Sequence, residues 1–317
     1  MIKILLTGGA GFIGTSIIKK LLEDKQNEII VLDNFERYSL TKDIEKKIKI
    51  YNVDILSNKD VEFRIDLIDP DIVIHLAALC GVDNVLNRPT QTMEVNAIGT
   101  YNILKAISNN KNIFLKKLIN FSTSEVYGSY SFKLGEDEKT NMGVVGEARW
   151  TYSISKLFSE HLCFAYSKEF DIPVISIRPF NIYGPGQVGE GAIHIFLKKC
   201  LKNEDIQIYG DGSQIRSWCY IDDAVDFIFR CINSDKIKNE VFNMGNPEGT
   251  ITTIGLAKRI IELTGSKSKI KFIESPCVDV ELRIPNIDKA RKILKFEPKV
   301  SLDEGILKTF EWYKRNN

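Results

Sequence analysis

Short, unbroken apolar segments alternate with helical stretches through the first half of the chain, as in IKILL, IIVL and IVIHLAA. Strands buried on both faces have this pattern, because side chains of both orientations then meet an apolar layer. The alternation predicts an α/β fold with a doubly wound parallel sheet, which binds ligands at the carboxyl ends of its strands. The expected strands are Ile2–Thr7, Ile29–Asp33, Ile48–Val53, Ile72–Leu76, Lys117–Ser122 and Val174–Arg178, and the expected helices are Phe12–Glu23, Val61–Ile68, Pro89–Ser108 and Arg149–Phe170.

The pattern changes after Arg178, where short mixed elements replace the regular alternation. We therefore expect residues 1–178 to form the first domain and residues 179–317 a smaller substrate-binding domain. A helix at Ile221–Asn233 and a strand at Val241–Met244 predict that about 216–245 rejoins the first sheet. Two long loops, Ser129–Ala148 and the glycine-containing Gly184–Ala192, are either surface connections or lids over a substrate.

Composition excludes several classes of protein. Among 317 residues, Lys plus Arg total 43 and Asp plus Glu total 42, so charge gives no reason to expect nucleic acid or an anionic membrane as the partner. The six cysteines show no metal-ligand spacing and the three histidines lie far apart, so no metal site is expected. With no long apolar run or signal peptide, we expect a cytoplasmic protein with reduced thiols.

A glycine-rich loop, TGGAGFIG, directly follows the first strand and opens the first helix. Gly8, Gly11 and Gly14 would let backbone N–H groups approach a pyrophosphate at the helix N-terminus. Asp33 ends the next strand, where a carboxylate accepts both ribose hydroxyls and repels a 2′-phosphate, so the expected cofactor is NAD. Arg37 lies close by and leaves NADP open. Asp54, after the third strand, either reaches the adenine amino group or caps a helix.

Hydride removal from a carbinol carbon needs a base for the hydroxyl proton, and a phenol beside an ammonium group can serve. A Tyr-x-x-x-Lys spacing puts both side chains on one helix face. Of the three such pairs, we choose the one that follows the strand KLINFS, because that strand ends in hydroxyl residues at the sheet edge. Thr123 would hold the substrate oxygen. The three pairs are Tyr38–Lys42, Tyr101–Lys105 and Tyr152–Lys156.

Taken together, these motifs resemble those of the extended short-chain dehydrogenase/reductase family, in its branch of nucleotide-sugar epimerases, dehydratases and decarboxylases. The similarity runs along the chain through TGGAGFIG, VLDN, VDI, IHLAA, VNAIGT, FSTSEVYG, YSISK, RPFNIYGP, GDGSQIRSWCYIDDAVD and FNMGNPEG. It implies a Rossmann-like domain, NAD as cofactor, and a UDP-, GDP- or dTDP-linked sugar as substrate.

The resemblance also implies roles for individual residues. Thr123, Glu125, Tyr152 and Lys156 would be catalytic, and Arg149, Asn181, Arg216 and Arg283 would bind the substrate, with Asn181 and Arg216 at the diphosphate. The residues implied to contact the cofactor are Gly8, Gly11, Phe12, Ile13, Gly14, Asp33, Asn34, Asp54, Ile55, Leu76, Ala77, Ala78, Asn96, Ser122, Tyr152, Lys156 and Tyr183.

One position separates the branches. The 4,6-dehydratases carry an Asp where this chain has Ser124, so a dehydratase would lack its general acid. The string STSE and Arg149 are most similar to the UDP-glucuronate decarboxylases. All branches begin by oxidising the C4 hydroxyl, so decarboxylation and 4-epimerisation are the favoured outcomes. Net C4 dehydrogenation is the alternative, and an NAD-sensing regulator without turnover is the alternative that is not an enzyme.

The helix after Tyr152 carries apolar side chains around its circumference, more than are needed to cover a sheet. The resemblance implies that it pairs with the Val95–Ser108 helix of each subunit to form an intermolecular four-helix bundle, so we expect an isologous homodimer. The apolar residues of the helix after Tyr152 are Ile154, Leu157, Phe158, Leu162, Phe164 and Ala165.

Overall fold

A computed structural model describes residues 1–110, 113–234, 236–275 and 277–316. Its strands are β1 (Ile2–Thr7), β2 (Asn27–Asp33), β3 (Lys49–Asn52), β4 (Ile72–His75), β5 (Lys117–Phe121), β6 (Tyr130–Leu134), β7 (Val174–Pro179), β8 (Ile182–Tyr183), β9 (Ile206–Tyr209), β10 (Ile215–Ser217), β11 (Cys219–Tyr220), β12 (Glu240–Met244), β13 (Thr250–Thr252), β14 (Ile270–Ile273) and β15 (Leu282–Pro285).

The helices flank these strands and follow them in the chain. They are α1 (Phe12–Leu21), α2 (Lys42–Glu45), α3 (Asn58–Ile68), α4 (Val82–Asn87), α5 (Pro89–Met93), α6 (Gly99–Asn109), α7 (Trp150–Phe170), α8 (Ala192–Lys202), α9 (Ile221–Ile232), α10 (Thr253–Thr264), α11 (Asp288–Leu294) and α12 (Leu302–Asn316).

The main sheet has seven parallel strands in the order β12-β7-β5-β4-β1-β2-β3. Neighbouring residues of its central strands face opposite apolar layers: Ile4 and Leu6 pack on one side, and Leu5 packs on the other. This accounts for the unbroken apolar runs, because both faces are covered by helices. The Rossmann-like doubly wound sheet expected from the sequence is confirmed.

The last third of the chain both extends this sheet and builds a second one. Strand β12, close to the expected Val241–Met244, pairs with β7 at the edge of the main sheet. The second sheet has four strands in the order β13-β10-β15-β6. Its strand β6 lies within Ser129–Ala148, which the sequence suggested was only a loop. Residues on both sides of position 178 therefore build the second sheet.

The helix expected over Pro89–Ser108 is interrupted. Between α5 and α6, the segment Glu94–Ile98 is π-helical. There the Asn96 side chain bonds the backbone N–H and C=O of Leu79 and the hydroxyl of Ser155. The backbone carbonyl oxygen of Asn96 accepts from the Ser159 hydroxyl. A side-chain hydroxyl that bonds a helix carbonyl, as that of Ser159 does, is a common cause of such interruptions. Within the described ranges, no helix is long and apolar enough to cross a membrane.

Candidate active site

A cleft of about 760 Å³ runs along the carboxyl edge of the main sheet and continues towards the second sheet. This volume falls in the range typical of sites for small ligands and cofactors. The cleft is lined at one end by the glycine loop and Asp33, in the middle by Thr123, Tyr152 and Lys156, and at the far end by Tyr209 and neighbouring residues of β9 and α8.

The glycine loop is shaped for close approach of a ligand. Gly8 has φ of +69°, and a Cβ there would lie 2.5 Å from the backbone N of Ala77. A Cβ on Gly14 would lie 2.5 Å from the carbonyl oxygen of Gly9. A Cβ on Gly11, by contrast, would meet only the Gly8 oxygen at 3.5 Å, and Gly11 lines the cleft. Two glycines thus permit tight packing of the loop, while the third leaves room for a pyrophosphate.

Asp33 is nearly buried and is oriented by the backbone. Its Oδ2 accepts from the N–H of Ala10 at 2.9 Å and its Oδ1 from the N–H of Phe35 at 2.8 Å. Each oxygen keeps a further acceptor site for ribose hydroxyls. Arg37 is directed elsewhere, since its guanidinium donates to the carbonyl oxygen of Cys80 at 2.8 Å and contacts the Cys80 sulfur. This end of the cleft therefore fits NAD better than NADP.

Most of the other residues expected at the cofactor also line the cleft, and the Ser122 hydroxyl there is buried with no hydrogen-bond partner in the described chain. An orphaned polar group in such a place fits an amide-bearing ligand such as NAD. Asp54 accepts from the N–H of Leu56, as in a turn before α3. The cofactor residues that line the cleft are Gly8, Gly11, Phe12, Ile13, Gly14, Asp33, Asn34, Asp54, Ile55, Leu76, Ala77, Ala78, Ser122, Tyr152 and Lys156.

Two residues expected at the cofactor do not line the cleft. Asn96 is fully buried in the π-helical segment, where its side chain joins the loop after β4 to α7. Tyr183 is also fully buried, and its hydroxyl donates to the carbonyl oxygen of Leu302 at 3.1 Å. Both contribute packing and hydrogen bonds around the site. Their motifs, VNAIGT and RPFNIYGP, indicate the family. They do not show whether a residue contacts the cofactor or only supports the residues that do.

Of the three Tyr-x-x-x-Lys pairs, the structure brings only Tyr152–Lys156 into the cleft. The Tyr38 hydroxyl bonds to Glu45 at the surface. Tyr101 is partly exposed on α6, with the Lys105 ammonium 5.6 Å from its ring centre. The position of the pair after β5, rather than the spacing itself, identifies it.

Of the three residues expected to carry out the chemistry, Thr123 and Lys156 are buried and Tyr152 is half-buried. Burial lowers the pKa of Lys156 to about 8. Burial, with Cys80 and Glu125 nearby, raises the pKa of the Tyr152 phenol, while a hydrogen bond to Thr123 opposes that rise. The phenol is therefore neutral in the protein alone, and the positive nicotinamide ring of NAD⁺ favours its ionisation.

Glu125 lies beside this group in a cluster of charges. Its Oε1 is 3.0 Å from Arg149 Nη2 and 3.3 Å from Arg283 Nη1. Burial alone would raise the pKa of Glu125, but the guanidinium groups around it, including that of Arg216, hold this pKa below its usual range. Glu125 is therefore a carboxylate. Its Oε2, with Nε and Nη2 of Arg283 and Nε of Arg149, is buried and has no partner among the described residues.

Strand register explains how the arginines meet. Strands β10 and β15 pair in parallel with Arg216 opposite Arg283. Arg149 comes from the residue before α7, and Glu125 from the 3₁₀ turn after β5. Asn181 lines the same part of the cleft and donates to the carbonyl oxygen of Ser217 at 3.0 Å. All four residues expected to bind the substrate therefore line one end of the cleft.

Among the cleft side chains that sequence reasoning missed are Cys80, Glu190 and Asp279. Asp279 accepts from Arg216 at 3.1 Å. Cys80 binds Arg37, and Glu190 spans the cleft to the N-terminus of α4, where it accepts from the N–H groups of Val82 and Asp83 at 2.6 and 3.1 Å. The recognisable motifs do not include them, so the only signal was the position of Glu190 in a glycine-containing loop.

Comparisons with known proteins agree with this geometry. The family model "NAD dependent epimerase/dehydratase family" matches residues 4–245. The chain is 32% identical to a UDP-N-acetyl-alpha-D-glucosaminuronate decarboxylase of Bacillus cytotoxicus, over 98% of this chain and 97% of that protein.

Solved structures of two epimerases are similar over nearly their whole length. A UDP-glucose 4-epimerase of Thermotoga maritima, solved with UDP-glucose, has a TM-score of 0.90 at 31% identity and covers 99% of each chain. A UDP-glucuronic acid 4-epimerase of Bacillus cereus, solved with UDP-glucuronic acid and NAD, has a TM-score of 0.89 at 30% identity and covers 100% of each chain. With the glycine loop, Asp33 and the Tyr152–Lys156 pair in one cleft, the chain belongs to the NAD-dependent epimerase/dehydratase family.

Proposed function

We propose that this enzyme oxidises C4 of a UDP-linked hexuronate and then releases the C5 carboxylate as CO₂. The observation that carries the proposal is the ionised, largely buried Glu125 held by arginines beside Thr123 and Tyr152. The resemblance to curated uronate decarboxylases supports it.

The first step follows from the positions of three side chains. NAD supplies the hydride acceptor when it is bound. Tyr152 takes the proton of the C4 hydroxyl, Thr123 holds that oxygen, and the Lys156 ammonium stabilises the phenolate. The resemblance implies that nucleotide-sugar epimerases, dehydratases and decarboxylases all begin with this step. The rest of the pocket would then determine which product forms.

The second step depends on the 4-ketone. Once C4 is oxidised, a C5 carboxylate belongs to a β-keto acid, so its C–C bond can break with the electron pair moving towards the ketone oxygen. C5 then takes a proton, and the hydride returns to C4. No acid is needed at C6, which agrees with Ser124 in place of the Asp found in dehydratases and with an ionised Glu125.

The charge of the pocket favours a uronate over a neutral sugar. Three arginines, Arg149, Arg216 and Arg283, converge where the sugar and diphosphate would lie. Several of their buried N–H groups have no partner among the described residues. A diphosphate and a carboxylate together supply the anions that such donors require.

The second candidate is 4-epimerisation of the same substrate. The similarity to the solved UDP-glucuronic acid 4-epimerase of Bacillus cereus supports epimerisation, because the two structures are similar over the whole chain. Epimerisation needs the keto-sugar to turn over in the pocket and keep its carboxylate. The two candidates share the C4 oxidation and differ in whether CO₂ leaves.

The test is to mix the purified enzyme with UDP-glucuronate, UDP-N-acetylglucosaminuronate, UDP-glucose, dTDP-glucose and GDP-mannose, follow NADH absorbance and measure the product mass. Loss of the mass of CO₂ supports decarboxylation. An unchanged mass with a new sugar configuration supports epimerisation, loss of water supports dehydration, and loss of two hydrogens supports net oxidation. Turnover of neutral sugars alone would contradict a uronate substrate.

We also propose that the chain forms a homodimer through the outer faces of α6 and α7. Ile154 and Phe158 of α7, Tyr101 of α6 and Ile98, which ends the π-helical segment before α6, are large apolar side chains that are partly exposed. Two such helices from each subunit would bury these side chains in a four-helix bundle. Leu157, Leu162 and Phe164 flank the stripe and are half-buried.

A cytoplasmic location stays a prediction. All six cysteines are free in the structure, and four of them are buried. Free thiols in this number are typical of reducing compartments.

A further inference from the structure

Arg216, which we expect to hold the substrate diphosphate, already binds an acidic side chain of this chain. Its Nη2 lies 3.1 Å from Oδ1 of Asp279, and Nη2 of Arg149 lies 3.9 Å from the same oxygen. The two arginine side chains are about a tenth exposed, whereas Asp279 is 39% exposed. A half-exposed carboxylate therefore sits at the point where buried cations face the cleft.

The arginines need a counter-anion. Burial and the charge of neighbouring Arg283 lower the pKa of Arg216 to about 10, and Asp279 opposes that change. Glu125 is bound by Arg149 and Arg283. Asp279 is thus the carboxylate that accepts a hydrogen bond from Arg216.

A bound diphosphate would compete for the same donor. Two anions placed on one guanidinium nitrogen repel each other, and the penalty is larger where burial reduces screening by water. Asp279 is more exposed than Arg216, so it is the partner that can turn towards solvent. The Val280 N–H donates to its Oδ1 at 2.7 Å, so the carboxylate is presented to Arg216 by a local turn.

We propose that Asp279 is a displaceable internal counter-anion, which occupies Arg216 in the empty site and is replaced there by the substrate diphosphate. This inference rests on the proposed function, because it takes Arg216 as the diphosphate ligand. Its consequence is that Asp279 weakens the binding of nucleotide diphosphates, substrate and product alike. Product release is therefore eased by the return of Asp279 to Arg216.

The test is to measure the Kd of UDP by calorimetry for the NAD-loaded wild type and for Asp279→Asn. Removing the competing charge while keeping the side-chain shape should lower the Kd about two- to fivefold at low salt, the range expected for a partly exposed ion pair. High salt should reduce this gain, because it screens the competing charges. Uridine, which has no phosphate, should bind both proteins equally.

Two variants serve as controls. Glu281→Gln removes an exposed carboxylate two residues away that makes no ion pair described in the structure, and it should leave the Kd of UDP unchanged. Asp279→Glu keeps the charge and should stay within about twofold of wild type. Equal NAD content and thermal stability would establish that all variants are folded.

The outcomes are separable. An unchanged or higher Kd of UDP in Asp279→Asn, or an equal gain in Glu281→Gln, would overturn the role of Asp279. Failure of the NAD-loaded wild type to bind UDP or any UDP-sugar would instead contradict the proposed function, on which this inference rests.

Discussion

At the scale of single residues, Tyr152 is the group on which the chemistry depends. Tyr152→Phe should lower kcat at least about 100-fold, because the C4 proton then has no base, while NAD binding is retained. The measurement is steady-state turnover with the best UDP-sugar. Tyr101→Phe is the matched control, since Tyr101 is partly exposed on α6 beside Lys105. A comparable loss in that control, with Tyr152→Phe active, would refute the assignment.

Asp33 should decide which dinucleotide binds. Its two oxygens face the ribose end of the cleft, and Arg37 is engaged by Cys80. We expect NAD to bind at least about tenfold more tightly than NADP, because the carboxylate repels a 2′-phosphate. Asp33→Asn should weaken NAD binding and so reduce the difference in Kd between NAD and NADP. Fluorescence titration measures the Kd of each dinucleotide. A preference of the wild type for NADP would overturn the assignment.

Glu125 should act after the first hydride transfer. Glu125→Gln keeps the shape of the side chain and removes the charge that Arg149 and Arg283 bind. We expect rapid formation of NADH in a single turnover, followed by a product step slowed about tenfold or more. Stopped-flow absorbance with quenched product analysis separates the two. If both steps keep their wild-type rates, Glu125 has no catalytic role.

These residues differ in how far sequence could identify them. Tyr152 was predictable because its pair follows a strand that ends in hydroxyls, and a local pattern carries that information. Asp279 was not, because its partner Arg216 lies 63 residues away and they meet only through the fold. Asn96 and Tyr183 belong to recognisable motifs, yet the motifs do not distinguish a ligand contact from support behind the site.

At the scale of elements, the loop between β8 and α8 crosses the cofactor end of the cleft. Glu190 of this loop accepts from two N–H groups of α4, and the Gly186 carbonyl accepts from Ser39 on the other side. The sequence allowed either a surface connection or a substrate lid for Gly184–Ala192. The loop lines the cleft, and its role as a lid stays a prediction. The glycines themselves did not indicate where the loop attaches.

Loss of the Glu190 contact should speed the release of NAD. In Glu190→Ala, the loop is no longer held to α4, so we expect bound NAD to dissociate at least about threefold faster, the effect of losing charge-assisted hydrogen bonds. The measurement is loss of bound nucleotide during rapid gel filtration. Glu204→Ala, which removes an exposed Lys199 partner, is the control. Equal retention in both variants would contradict the role of Glu190.

At the scale of the whole molecule, the apolar stripe on α7 makes a prediction about assembly. Phe158→Asp should convert a dimer into a monomer, because it buries a charge in the helix bundle. Light scattering at micromolar concentration measures the mass. Phe272→Asp changes a similarly exposed aromatic residue on β14 and should leave the mass unchanged. A monomeric wild type would contradict the proposed dimer.

The second sheet draws its strands from both sides of position 178, since β6 pairs with β15 and β15 with β10. Arg283 lies on β15 opposite Ser131 of β6, so a slip of one residue in that register would turn Arg283 away from the cleft. Recombination between relatives at position 178 would therefore join a foreign β15 to the native β6. If Arg216 and Arg283 bind the substrate as proposed, chimeric enzymes should keep their substrate specificity only when β6 is inherited with residues 179–317.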